Sequence, residues 1–161
     1  MFVGSLSGFA RILMMVLTIV GFTKSLNAQS SPTGPAPIEL VTITTQKGQF
    51  SFKTEIANTP MTLQRGLMFR QRLPQDRAMI FDWGRDIVAN MWMKNTIVSL
   101  DMIFISRKGV VTGFKTNTVP KSLDVISSGR PIAAVLEVVA GTVERIGLKP
   151  GDRVTHTMFK P

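Results

Sequence analysis

Cysteine and tyrosine are absent from this chain of 161 residues, and histidine occurs once. Without cysteine there is no disulfide framework, no thiolate nucleophile, no zinc-ribbon spacing and no thiol for an N-terminal lipid anchor. The lone histidine, His156, lies near the C-terminus among strand-forming residues. One histidine and no thiol give a transition metal too few of its usual ligands, so neither a metal nor a cofactor is expected. Glycine-rich phosphate loops, nucleophile elbows and calcium-binding loops are missing as well. Charged residues are 18% of the chain against 44% hydrophobic. That balance excludes a self-repelling disordered polymer and points to a chain that builds a core. Its length suits one domain rather than two.

The charge that is present leans positive, with a formal net of +9. Lysines and arginines are scattered, with no basic run, so the charge reads as solubility and weak general attraction. A nucleic-acid partner is not expected.

The longest apolar run stands near the start, ILMMVLTIVGF at residues 12–22, led by Arg11 and followed by TKSLNA at 23–28. A positive charge, a short apolar core and a small residue at Ala28 make the pattern of a secretory signal. The run falls short of the roughly 20 residues that span a bilayer. The expectation is therefore a signal peptide over 1–28, cleaved after Ala28, and a periplasmic or secreted product. The alternative is a retained inner-membrane anchor, the one case in which a membrane is a partner. QSSPTGPAP at 29–37 reads as a flexible tether, and 38–161 as a single β domain.

Within that domain, residues 38–45 and 50–57 alternate in hydrophobicity across Lys47-Gly48, as a hairpin does. Asn58-Thr59-Pro60 opens a helix expected over 61–70, with Thr59 or Asn58 as cap and Pro60 in the first turn. Gly66 inside that helix implies a close approach to another part of the chain. Further strands are expected at 78–83, 88–93, 100–106, 110–115, 132–139 and 154–159, with a long loop at 117–131 and a short helical turn at 143–146. The sum is a mainly β, jelly-roll-like sandwich or barrel of about eight short strands with one to two short helices.

The polar residues of NMWMKNTIVSLD (90–101) pose the functional question. In an extended chain Met91 and Met93 point one way, Trp92 and Lys94 the other. An indole beside an ammonium makes a flat cationic platform for a sugar ring, a carboxylate or an aromatic ring; it also suits a tryptophan closing the end of a barrel. Asn95 and Thr96 fit a turn. Asp101 falls in line with Ile103 and Ile105 on a face that should be apolar, and a buried charge there needs a partner. Lys94, Arg65 and Arg70 are the candidate cations. Glu137 poses the same problem between Val135 and Val139. Asp101 and Glu137 are weak catalytic candidates; a structural ion-pair network accounts for them equally well.

Taken in order, RGLMFR (65–70), AMIFDW (78–83), WMKNT (92–96), LD (100–101), the turn at Gly109 and VLEVVAG (135–141) resemble the domain-of-unknown-function 192 family, small exported or membrane-anchored domains of bacteria and archaea. The resemblance runs from about Val41 to Val154. Two departures are Ala78, where the family has glycine, and Ser99, where it has proline. The resemblance implies a compact mainly β fold, and places Arg65, Arg70, Trp92, Lys94, Asn95, Asp101 and Glu137 at motif positions. It implies no activity.

Three functions fit these residues. One is a periplasmic binding or accessory module for a small anionic or carbohydrate-like ligand, using Trp92, Lys94, Asn95, Thr96, Arg65, Arg70 and Asp101. Another is an envelope polysaccharide hydrolase or lyase using Asp101 or Glu137. The third is a protein–protein adaptor whose polar core is purely structural. The sequence does not fix an oligomeric state.

Overall fold

The computed structural model describes residues 37–160, together with Met1. Apart from Met1 and Pro37, the expected signal and tether lie outside the described residues. The elements below all belong to one unit, Gly34–Pro161. Among the described residues no helix is long and apolar enough to cross a membrane.

Strands β1 (Ile38–Thr45) and β2 (Gly48–Ala57) form the expected hairpin. Helix α1 (Pro60–Arg65) follows, with Pro60 in its first turn and Thr59 as its cap. The Thr59 hydroxyl accepts from the Thr62 amide at 3.2 Å, and the Thr62 hydroxyl accepts from the Thr59 amide at 3.0 Å. This reciprocal pair satisfies two otherwise free donors. The helix ends at Arg65 rather than at residue 70, because Gly66 takes φ 47° and ψ −136°, a conformation reserved for glycine. A Cβ on Gly66 would lie 2.9 Å from Phe81 Cζ, which is the close approach its position implied.

The two strands expected at 78–83 and 88–93 are one, β3 (Arg77–Met91). It keeps pairing through irregularities between Asp82 and Ile87 and between Val88 and Asn90. Such bulges bend a strand without ending it. Its partner β6 (Ile126–Val139) also starts earlier than expected, taking in the last part of the stretch at 117–131. Between them in sequence come β4 (Leu100–Ile105) and β5 (Val111–Lys115). Helix α2 (Thr142–Ile146) and the short β7 (Arg153–Thr155) complete the chain.

The seven strands form one curled, half-barrel sheet in the order β5-β4-β6-β3-β2-β1-β7. Its two edges meet at one end. There the Val154 amide donates to the Gly109 carbonyl, the Val111 amide to Asp152 and the Gly151 amide to the Val111 carbonyl, at 2.7–2.9 Å. Gly109 has φ 70°, and a Cβ on it would strike the Val154 carbonyl.

Both faces of the sheet are covered, which explains why β4 and residues 132–138 of β6 are buried throughout. Ile43, Phe52, Ile80, Ile103, Leu136 and Ile146 build the core on the concave side. Met79, Phe81, Met102, Phe104 and Val135 build the other core, with Leu67, Met91 and Met93 lying over them. The site described next opens in this second layer.

Candidate functional site

At the end of β3 the burial alternates as the pleat requires. Met91 and Met93 are buried, whereas Trp92 and Lys94 are exposed. The Lys94 ammonium lies 5.4 Å from the Trp92 ring centroid, a cation–π contact. The chain then turns sharply through Asn95, at φ 57°.

Behind this platform is a recess of about 140 Å³, between α1 and the sheet. Glu137 lies in its lining, with Arg65 and Gly66 from the helix end, Trp92 and Thr96 from the turn, and Phe81 and Trp83 from β3. Phe81 and Trp83 stack with ring centroids 6.2 Å apart. They sit two residues apart on the face that carries Met79. The register places Met79 and Met102 opposite Glu137 on the two flanking strands.

Glu137 is only 4% exposed. Burial among these apolar neighbours pushes its carboxyl from the ordinary 4.5 up to about 8. No hydrogen bond or ion pair from a described residue offsets that rise. No described side-chain oxygen or nitrogen is both sealed from solvent and unpaired. Glu137 is among the residues that line the recess. Near neutral pH the group is a carboxylic acid, able to donate a hydrogen bond to whatever enters.

A neighbouring hollow of about 320 Å³ shares Arg65 and Trp92 with the recess and adds Lys94 and Asn95. The fold thus distributes Arg65, Trp92, Lys94, Asn95, Thr96 and Glu137 over two adjoining hollows, with Arg65 and Trp92 common to both. Thr96 is buried, and its hydroxyl reaches only the Lys94 carbonyl, at 3.4 Å.

Two residues expected with this group stand elsewhere. Arg70 forms a two-pronged ion pair with Glu55 of β2, at 2.5 and 2.6 Å, which spends its donor fork. Asp101 lies on the concave face with Ile103 and Ile105, as its register demanded, and is fully buried. Its charge is answered by main chain rather than by Lys94, Arg65 or Arg70. The Asn117 amide donates to Oδ1 and the Val143 amide to Oδ2, both at 2.9 Å. Val143 is in the first turn of α2, whose cap Gly141 has no side chain to offer, so Asp101 caps that helix from a distance. Asp101 borders a separate hollow with Asn117 and Val143. Asp101 and Glu137 do not form a pair.

Sequence reasoning missed Phe81 and Trp83 as walls of the recess. The signal was present in AMIFDW, where Met79, Phe81 and Trp83 recur at every second position.

A curled β half-barrel with a recess roofed by a one-turn helix defines a class of small single-sheet domains. The chain belongs to the DUF192 family, described as Uncharacterized ACR, whose model matches residues 41–156. A crystal structure from Sinorhizobium meliloti 1021, described provisionally as a transcription regulator, is similar at 38% identity and a TM-score of 0.76, over 78% of this chain and 98% of that one. A protein of unknown function from Novosphingobium aromaticivorans DSM 12444 is similar at 36% identity and a TM-score of 0.74, over 78% of this chain and 90% of that one. No curated protein matches the chain.

Proposed function

We propose that this protein is an exported, periplasmic binding or accessory module for a small carbohydrate-like ligand that carries an anionic group. The observation that carries the reading is Glu137, a buried acid without a partner among the described residues, which lines a recess beside Arg65 and Trp92. A ligand hydroxyl or carboxylate would accept from the Glu137 proton. Its anionic substituent would meet Arg65 or Lys94, and its ring would lie on Trp92. The recess, at about 140 Å³, takes one substituent, and the neighbouring hollow of about 320 Å³ takes the body. That division matches sites that bury a polar anchor beneath an aromatic platform.

A hydrolase or lyase finds less support. Glycosidase chemistry ordinarily uses two carboxyl groups across the bond, and among the described residues Glu137 is the only acidic one lining the recess. For transcription regulation, the role described for the Sinorhizobium relative, the longest helix among the described residues has six residues. That is little to lay in a major groove.

Isothermal titration with glucuronate and galacturonate, and with glucose as the neutral control, tests the proposal. Saturable uronate binding is expected, weakened about tenfold by Trp92→Ala through loss of stacking and the cation–π partner. If no uronate or sugar binds, or if Trp92→Ala leaves the affinity unchanged, the reading fails.

A further inference from the structure

Beyond the platform, three loops meet in a second hollow of about 520 Å³. Phe69, Ile97 and Leu123 wall it, and Lys94, Lys121 and Asn95 edge it. Phe69 and Leu123 are 62% and 66% exposed, a large apolar area to leave in water. Among the described residues no carboxylate lines this groove. Neither lysine forms a salt bridge among the described residues.

The backbone of the groove is also unusual. Phe69, Asn95 and Lys121 have φ of 65°, 57° and 63°, and they are three of the four non-glycine residues with positive φ among those described. That region disfavours L-residues, and such strain concentrates at ligand clamps. Hydrogen bonds lock the three turns to one another. The Phe69 amide donates to the Asn95 carbonyl and the Lys121 amide to the Thr96 carbonyl, each at 2.9 Å. The loops therefore hold their exposed side chains in a fixed arrangement.

We infer that this groove binds a single amphiphilic anion, a molecule with a carboxylate head and an apolar body. The head sits between the Lys94 and Lys121 ammoniums. The body covers Phe69, Ile97 and Leu123. A volume of about 520 Å³ falls within the range of small-molecule sites, and a concave wall suits a free molecule better than a flat bilayer. The inference does not depend on the Glu137 recess, although Phe69, Lys94 and Asn95 line both this groove and the hollow outside that recess.

Calorimetric titration of the full chain with laurate below its micellar concentration tests this. Dodecyltrimethylammonium serves as the control of opposite charge, and phosphatidylglycerol vesicles as the bilayer arm. One saturable laurate site is expected, weakened about tenfold by Lys121→Glu or by Leu123→Ser, as for loss of a contact to a charged head or an apolar body. Glu137→Gln leaves laurate affinity unchanged, which separates this site from the uronate site. Both groove positions are exposed, and unchanged melting temperatures verify that the variants fold. The inference is overturned by absence of saturation, by equal laurate affinity in wild type and both groove variants, by equal binding of the cationic control, or by binding to vesicles alone.

Discussion

The Asp101 carboxylate and the Val143 amide, 42 residues apart in sequence, are joined by a buried hydrogen bond of 2.9 Å. This bond ties β4 to the first turn of α2. Together with the Asn117 amide it satisfies a carboxylate that forms no salt bridge among the described residues. Replacing Asp101 with Asn puts an NH₂ group against one of two amide donors. The expected loss is about 2–4 kcal/mol, the cost of an unpaired buried donor plus a charge-assisted bond. Urea denaturation measures it. Uronate and laurate binding should be retained in the folded fraction.

Glu137 links stability to pH. Its carboxyl titrates near 4.5 in the unfolded chain and at about 8 in the folded one, so between those values the folded state alone keeps the proton. Stability is then full below about 4.5 and declines as pH rises to about 8, with a slope approaching 1.4 kcal/mol per unit. Glu137→Gln removes that decline. Urea midpoints at pH 5, 7 and 9 should fall in the wild type and be flatter in the variant.

Gly66 is the hinge between α1 and the recess. Gly66→Ala must hold a Cβ at φ 47° and 2.9 Å from Phe81 Cζ. The expected destabilisation is about 1–3 kcal/mol from the backbone conformation. Because Phe81 must also move, uronate affinity should fall along with the melting temperature.

The Arg70–Glu55 pair has good geometry but is partly exposed, with side-chain accessibilities of 38% and 21%. The hydrogen bonds to Glu55, helped by that carboxylate's charge and opposed by partial burial, hold the Arg70 guanidinium above its usual pKa, so Arg70 stays charged throughout the accessible range. Solvent screening limits the pair to about 1 kcal/mol or less. Arg70→Ala should therefore lower stability slightly, by an amount that shrinks with added salt, and leave uronate affinity unchanged.

Export has its own check. Fractionation of cells expressing the full chain, followed by N-terminal sequencing, should recover a periplasmic product that begins at Gln29. A chain retained in the cytoplasm with residues 1–28 intact contradicts the assignment.

Much of the fold was legible because it rests on local alternation. The β1–β2 hairpin, the burial of Met91 and Met93, and the exposure of Trp92 and Lys94 follow from side chains pointing to opposite faces in turn. The cap at Thr59 and the first-turn Pro60 were readable for the same local reason. Other features depended on distant partners. The bulges that keep β3 in one piece exist because β6 pairs across them. The awkwardness of Asp101 and Glu137 was visible between apolar neighbours, but its resolution was not. Asp101 found main-chain amides that no side-chain inventory would reveal, and Glu137 found a recess instead of a cation. The groove at Phe69, Lys121 and Leu123 was not legible in sequence, since the backbone hydrogen bonds that join its three loops run between residues distant in the chain.

The seam between the sheet edges also sets an order of assembly. The segment from Gly151 to Val154 bonds to Val111 and Gly109, while β7 pairs with β1. A growing chain that has not yet produced residues 151–155 has β1 and the start of β5 without these partners, and unpaired strand edges invite association. The fold is sealed by β7, which follows the other described strands in the chain. Until then the polypeptide is an open sheet, and truncation just before Gly151 should yield protein that self-associates instead of a smaller stable domain.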